Sequence, residues 1–177
     1  MAARASLVQQ LIKRTSPKLA LHFGVSKRAS GFQIELVGRN ICDLRIDAAG
    51  DLPSAAHLID AGPDELPSSF PARRIIARLE SAGLPWATSE SAGSYVCNAL
   101  LYHSLISAKA LPTPCLSGFV HLPVGLRAGE EAEAVCALSW SQALSGSLEI
   151  IAPASRWRAL LNHPRGRYPP MASALRS

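Results

Sequence analysis

The hydrophobic positions along this chain change period several times, and each change predicts an element. Leu7, Val8, Leu11 and Ile12 recur at helical spacing before Pro17, which predicts an N-terminal amphipathic helix with these four residues on one face. Leu19-Ala-Leu-His-Phe23 follows as a buried strand, and residues 32–46 read as one or two further strands. Residues 47–70 are rich in Ala, Gly, Pro, Ser and Asp and read as a long loop. Pro71 opens a helix reaching Glu80, with Ile75, Ile76 and Leu79 inward and Gly83 near its end. Trp86-Ala-Thr-Ser89 is a short strand and Ser91-Ala-Gly-Ser94 a turn. From Tyr95 the positions Val96, Leu100, Leu101, Leu105 and Ile106 then take up helical spacing. Leu116–Leu122 is a further strand, and Ser139-Trp-Ser-Gln142 has the form of a capping box opening a helix through Leu144, Leu148 and Ile151.

Helices alternating with short apolar strands predict an α/β domain with helices on both faces of its sheet. The expected fold is a three-layer α/β/α domain over residues 1–155, with a mixed, mainly parallel sheet, followed by a basic, Pro-containing tail over 156–177. No internal repeat is visible.

Composition narrows the class. Of 177 residues, 48% are apolar, which excludes a disordered chain. Asn98, His103, Ser104 and Lys109 interrupt the most apolar stretch, so no membrane association is expected. The net charge of +5 is modest and its basic residues are scattered, apart from Arg156, Arg158, Arg165 and Arg167 in the tail; no nucleic-acid partner is expected. Cysteines at 42, 97, 115 and 136 show neither paired nor zinc-ligand spacing, which fits a reducing, cytoplasmic compartment without a metal or other cofactor.

Cys97 falls in the first turn of a predicted helix, directly after a tight turn. Unpaired N–H groups and the positive end of the helix dipole favour a thiolate there. On pattern alone His121, between Val120 and Leu122, reads as a hydrogen-bonded core histidine. Glu35 reads as an outward strand carboxylate, and Arg45 as a surface arginine.

Several segments together change that reading. Ser91-Ala-Gly-Ser-Tyr-Val-Cys97-Asn98 resembles the nucleophile segment of the pyroglutamyl peptidase I (pyrrolidone-carboxylate peptidase) family, and Gly118-Phe-Val-His121-Leu-Pro resembles its histidine segment. Phe32-Gln-Ile-Glu35-Leu-Val-Gly-Arg-Asn40 resembles the segment carrying the family's acid, Asp43-Leu-Arg45-Ile its Asp-Ala-Arg-Ile stretch, and His22-Phe-Gly-Val-Ser26 its glycine turn. The resemblance implies Cys97 as nucleophile, His121 as acid–base, Glu35 as the group orienting the imidazole, and Arg45 as an oxyanion donor beside the Cys97 N–H. It also implies Tyr95, Val96 and Val25 as substrate contacts, a peptide with N-terminal pyroglutamate as substrate, and a dimer or tetramer as assembly. An acid-poor, Arg-containing N-terminus also fits a mitochondrial transit peptide, but the order of helix and strand matches the family and favours structure.

The family normally begins with a strand and a Gly-Phe-Glu-Pro-Phe loop that have no counterpart here. The alternative expectation is therefore an N-terminally short, non-catalytic relative that keeps the fold for binding or assembly. Glutamine amidotransfer also uses Cys, His and Glu, but it places the acid two residues after the histidine, where this chain has Pro123.

Overall fold

The structure, a computed structural model, describes residues 2–43, 55–126 and 138–151. Along them run α1 (Ala2–Thr15), β1 (Leu19–Ser26), β2 (Phe32–Glu35), β3 (Val37–Arg39), β4 (Glu65–Pro67), α2 (Ala72–Ser81), β5 (Trp86–Ser89), α3 (Val96–Ala110), β6 (Leu116–Pro123) and α4 (Trp140–Ile151). The main sheet has the order β1-β6-β2-β5. β1 is parallel to β6 and β2 parallel to β5, while β2 and β6 meet antiparallel, so the sheet is mixed and mainly parallel as expected. β3 and β4 form a separate antiparallel pair. No helix among the described residues is long and apolar enough to cross a membrane.

Strand pleating sorts the side chains into two layers. On one face Phe32, Ile34, Leu116 and Val120 pack with Ile75 and Leu79 of α2 and Ile150 of α4 into the largest apolar cluster. The alternate positions Gln33, Glu35, Ser117, Phe119 and His121 turn towards the α1/α3 layer, where Phe119 packs with Leu101, Tyr102 and Leu105 of α3. β2 and β6 are internal strands, so their polar residues face another layer of protein rather than water.

Local signals were the dependable ones. Ser139 and Gln142 form the reciprocal cap, Gln142 N–H donating to Ser139 Oγ (3.2 Å) and Ser139 N–H to Gln142 Oε1 (2.9 Å). Pro71 stands at the N-cap of α2, and Gly83, just past its end, has φ +65°.

The structure corrects three expectations about elements, those for 47–70, β1 and α1. The 47–70 region is not loop throughout, since Glu65–Pro67 pairs with Val37–Arg39. β1 is not a buried strand: it lies at the sheet edge, and Phe23 and Val25 are exposed. In α1 only Val8 and Ile12 are buried, against Ala20, Ala108 and Cys115, while Leu7 and Leu11 face outward. α4 likewise exposes Trp140, Leu144 and Leu148 and buries Ala143, Gly146 and Ile150. A β-carbon on Gly146 would come within 2.3 Å of the Phe32 ring, so the helix approaches the sheet along its smallest residue. The tail 156–177, Arg45 and Cys136 lie outside the described residues.

Candidate active site

Cys97 is the second residue of α3, as the turn-then-helix pattern predicts. Gly93, at φ +85°, makes the turn in a conformation that L side chains resist. Tyr95 is the N-cap residue and offers no side-chain cap, and the first turn holds no acid. The first-turn N–H groups, that of Cys97 among them, have no acceptor within the helix. Cys97 itself is partly exposed. Gly24 of β1 stands against it: a β-carbon there would lie 3.4 Å from Cys97 Sγ and 2.8 Å from Phe119 Cζ.

His121 comes to Cys97 from β6, and its ring packs on Phe119 with centroids 4.7 Å apart. The antiparallel register sets Gln33 opposite His121, which leaves Glu35 on the same face of β2. His121 Nδ1 lies 2.7 Å from Glu35 Oε1. A carboxylate only accepts, so Nδ1 carries the proton of that bond and Nε2 is left for Cys97. Glu35 has no exposed surface and His121 has 4%.

The electrostatics follow from these contacts. Burial alone would lower the His121 pKa, but hydrogen bonding to Cys97 and Glu35 outweighs it and raises the value to about 9. Burial pushes the Glu35 carboxyl up, yet the donors grouped around it, His121, Ser89 and Gln33, hold it below its ordinary value. Gln33 Nε2–H donates to Glu35 Oε1 at 2.7 Å. Among the described residues Glu35 Oε2 has no hydrogen-bond partner; the Ser89 hydroxyl can turn to Glu35 or donate to the Ser91 carbonyl at 3.1 Å.

Two residues here were not singled out by sequence. Gln33 is one; its signal is that it shares a strand face with Glu35. The other is Asn98, fully buried, whose amide donates to the carbonyls of Arg39 (2.8 Å) and Ile41 (3.0 Å) while its oxygen accepts from Arg39 N–H (2.9 Å). Asp43 N–H donates to the Ser94 carbonyl at 2.6 Å, so residues 39–43 are tied to the start of α3 just before Arg45. Tyr95 (37% exposed) and Val96 (half-buried) adjoin Cys97 in the chain. Val25 is not brought to that side. The pleat turns it away from the face on which Gly24 meets Cys97, and it is 63% exposed.

Cys97, His121 and Glu35 thus come from three elements onto one line. The sequence profile of the pyroglutamyl peptidase family matches residues 2–153. The chain belongs to that family. It is 30% identical to the pyrrolidone-carboxylate peptidase of Oceanobacillus iheyensis over 114 residues, and 30% identical to that of Pyrococcus furiosus over 118 residues. These alignments cover 64% and 66% of the chain. The chain spans 57% of the length of each of these curated relatives. The crystal structure of pyrrolidone carboxyl peptidase from P. furiosus superposes with a TM-score of 0.74 at 25% identity, covering 86% of this chain and 76% of that one.

Proposed function

We propose that this chain is a cysteine exopeptidase that removes an N-terminal pyroglutamyl residue from peptides. The observation that carries the reading is the hydrogen-bonded line from Cys97 through His121 to a buried Glu35. Membership of the pyroglutamyl peptidase family supplies the substrate class.

In the reaction, His121 takes the Cys97 proton, and Sγ attacks the pyroglutamyl carbonyl carbon. The C=O π pair moves to oxygen, towards the Cys97 N–H at the open helix start and, by the family resemblance, Arg45. Collapse of the tetrahedral intermediate breaks the C–N bond, and the His121 imidazolium protonates the departing peptide amine. Water, deprotonated by His121, then attacks the thioester and releases pyroglutamate. The thiol recovers its proton from His121. Glu35 fixes the imidazole tautomer and stabilises the imidazolium without accepting its proton. The lactam has no free amine to anchor, and Tyr95 and Val96 offer apolar surface beside the nucleophile.

The same reading includes a homo-oligomer in the cytoplasm. The exposed stripe Trp140, Leu144 and Leu148 on α4 supports self-association, and unbridged Cys97 and Cys115 suit a reducing compartment. The test is release of a fluorogenic amine from a pyroglutamyl amide. Turnover by the wild-type chain that Cys97→Ala abolishes is the expected result. A folded wild-type chain without turnover overturns the reading in favour of a non-catalytic relative.

A further inference from the structure

The Glu35 carboxylate is used asymmetrically. Oε1 accepts two hydrogen bonds, from His121 Nδ1 (2.7 Å) and from Gln33 Nε2 (2.7 Å), while Oε2 accepts none among the described residues. The side chain has no exposed surface, so water supplies nothing. A buried carboxylate beside an imidazole has two competing states: the carboxylate–imidazolium pair, and the neutral acid with neutral imidazole. Low polarity favours the neutral state unless hydrogen bonds stabilise the charged carboxylate. His121 is the charged group acting on Glu35 here, and His121 in turn faces Cys97 of α3. Two uncharged groups also act on Glu35: the Ser89 hydroxyl, and the primary amide of Gln33, which bonds Oε1 directly.

The backbone fixes that amide in place. Gln33 is the cross-strand partner of His121 and lies two residues before Glu35, so all three side chains emerge on the α3 side of the sheet. Glu35 offers only acceptors when ionised, which turns the nitrogen end of the amide towards it. We propose that Gln33 is a positioning residue of this site, its amide keeping Glu35 ionised and aimed at His121. The alternative is that the amide only satisfies itself on the nearest acceptor of a half-buried strand.

The kinetic consequence rests on the peptidase reading; the titration does not. Gln33→Met keeps the side-chain length and removes both donors. In an NMR titration of the folded variant without substrate, the Glu35 carboxyl midpoint rises by about one pH unit, as expected for loss of one hydrogen bond to a charged acceptor. The acid limb of kcat/KM on a pyroglutamyl amide rises by the same amount. In a Glu35→Gln background, adding Gln33→Met leaves whatever acid limb remains in place, because the coupling partner is gone. A Glu35 midpoint and acid limb that stay in place, with only the rate or stability lowered, overturn the proposal and leave Gln33 a structural residue. If Gln33→Met does not fold, the wild-type protein decides. Its Gln33 side-chain amide proton resonances must shift with the Glu35 midpoint, and resonances that ignore that step overturn the proposal. Shifted midpoints in a chain that cleaves no pyroglutamyl amide would sink the peptidase reading alone. Cleavage with unmoved midpoints would sink the Gln33 proposal alone.

Discussion

His22 and His121 are half-buried or buried imidazoles on the α3 side of the same sheet, on neighbouring parallel strands, and they are driven in opposite directions. His22 Nε2 lies 2.8 Å from the Ser104 hydroxyl, which lies 2.7 Å from the Ser117 hydroxyl. No charged group among the described residues acts on it, and burial takes its pKa down to about 4. His121 suffers the same desolvation, but its partners are a thiol and a carboxylate, and its pKa is raised to about 9. One imidazole is therefore biased against holding an extra proton and the other towards holding one, within one layer of one sheet. Burial does not make an acid–base residue; the ionisable partner does, and that partner has to be kept ionised in its turn.

Glu35→Gln breaks this contrast most severely. His121 loses the carboxylate and keeps Cys97 as the partner that still opposes its burial, which moves it towards the situation of His22. Its midpoint should fall from about 9 in an NMR titration. Turnover of a pyroglutamyl amide should fall by roughly 10³–10⁴, the scale seen when an imidazole loses its orienting carboxylate. A midpoint that stays near 9 in the variant would show that the carboxylate is not what separates the two histidines.

Stability against pH reads the same contrast without any substrate. His121 has a raised folded pKa, so its contribution is complete below 6.5, the ordinary histidine value, and is lost as pH rises through about 9. His22 has a lowered folded pKa; the unfolded chain takes up its proton first, and stability falls as pH drops from 6.5 towards about 4. Glu35, held below its ordinary value, adds to the acid loss once pH falls through its folded pKa. The two histidine slopes meet near pH 6.5. Each is at most about 1.4 kcal/mol per pH unit. Urea unfolding from pH 4 to 9.5 should therefore show an apex near 6.5. Glu35→Gln should make the alkaline side shallower, with Cys97 still raising His121, and leave the His22 slope in place. An alkaline side unchanged in that variant would remove His121 as its cause.

The nucleophile and the histidine were legible because their signals are local: a turn, a helix start, a short apolar strand. Glu35 was identified by family resemblance, and the reason is topological. In Phe32-Gln-Ile-Glu35 the alternation separates polar from apolar residues, which on an edge or one-sided strand means water and core. β2 is internal and α3 covers its polar face, so here the same alternation means site and core. Gln33 was overlooked for the same reason. The faces of α1 and α4 were illegible in a different way. Leu7, Val8, Leu11 and Ile12 are all apolar, and only the location of Ala20, Ala108 and Cys115 selects Val8 and Ile12. In α4 the contact with Phe32 is made by Gly146, a residue that no hydrophobic pattern marks as core. β4 has three residues and ends in Pro67, too short a run to show a period.

The mildest test concerns the uncharged histidine. Ser104 lies two helical turns beyond Cys97 on α3, and Ser117 lies four residues before His121 on β6. Their hydrogen bond thus ties the same helix to the same strand that Cys97 and His121 join further along. Both hydroxyls are fully buried, so Ser104→Ala leaves His22 Nε2 and Ser117 Oγ each short of a partner where water cannot replace it. The cost should be about 1–3 kcal/mol in urea unfolding. The pH limbs of kcat/KM should hold their positions, because no group touching His121 or Glu35 has changed. A shift of those limbs in Ser104→Ala would mean that the two histidines are coupled through Phe119, whose ring lies 6.2 Å from His22 and 4.7 Å from His121. Their opposite pKa shifts would then belong to one network rather than to two separate partners.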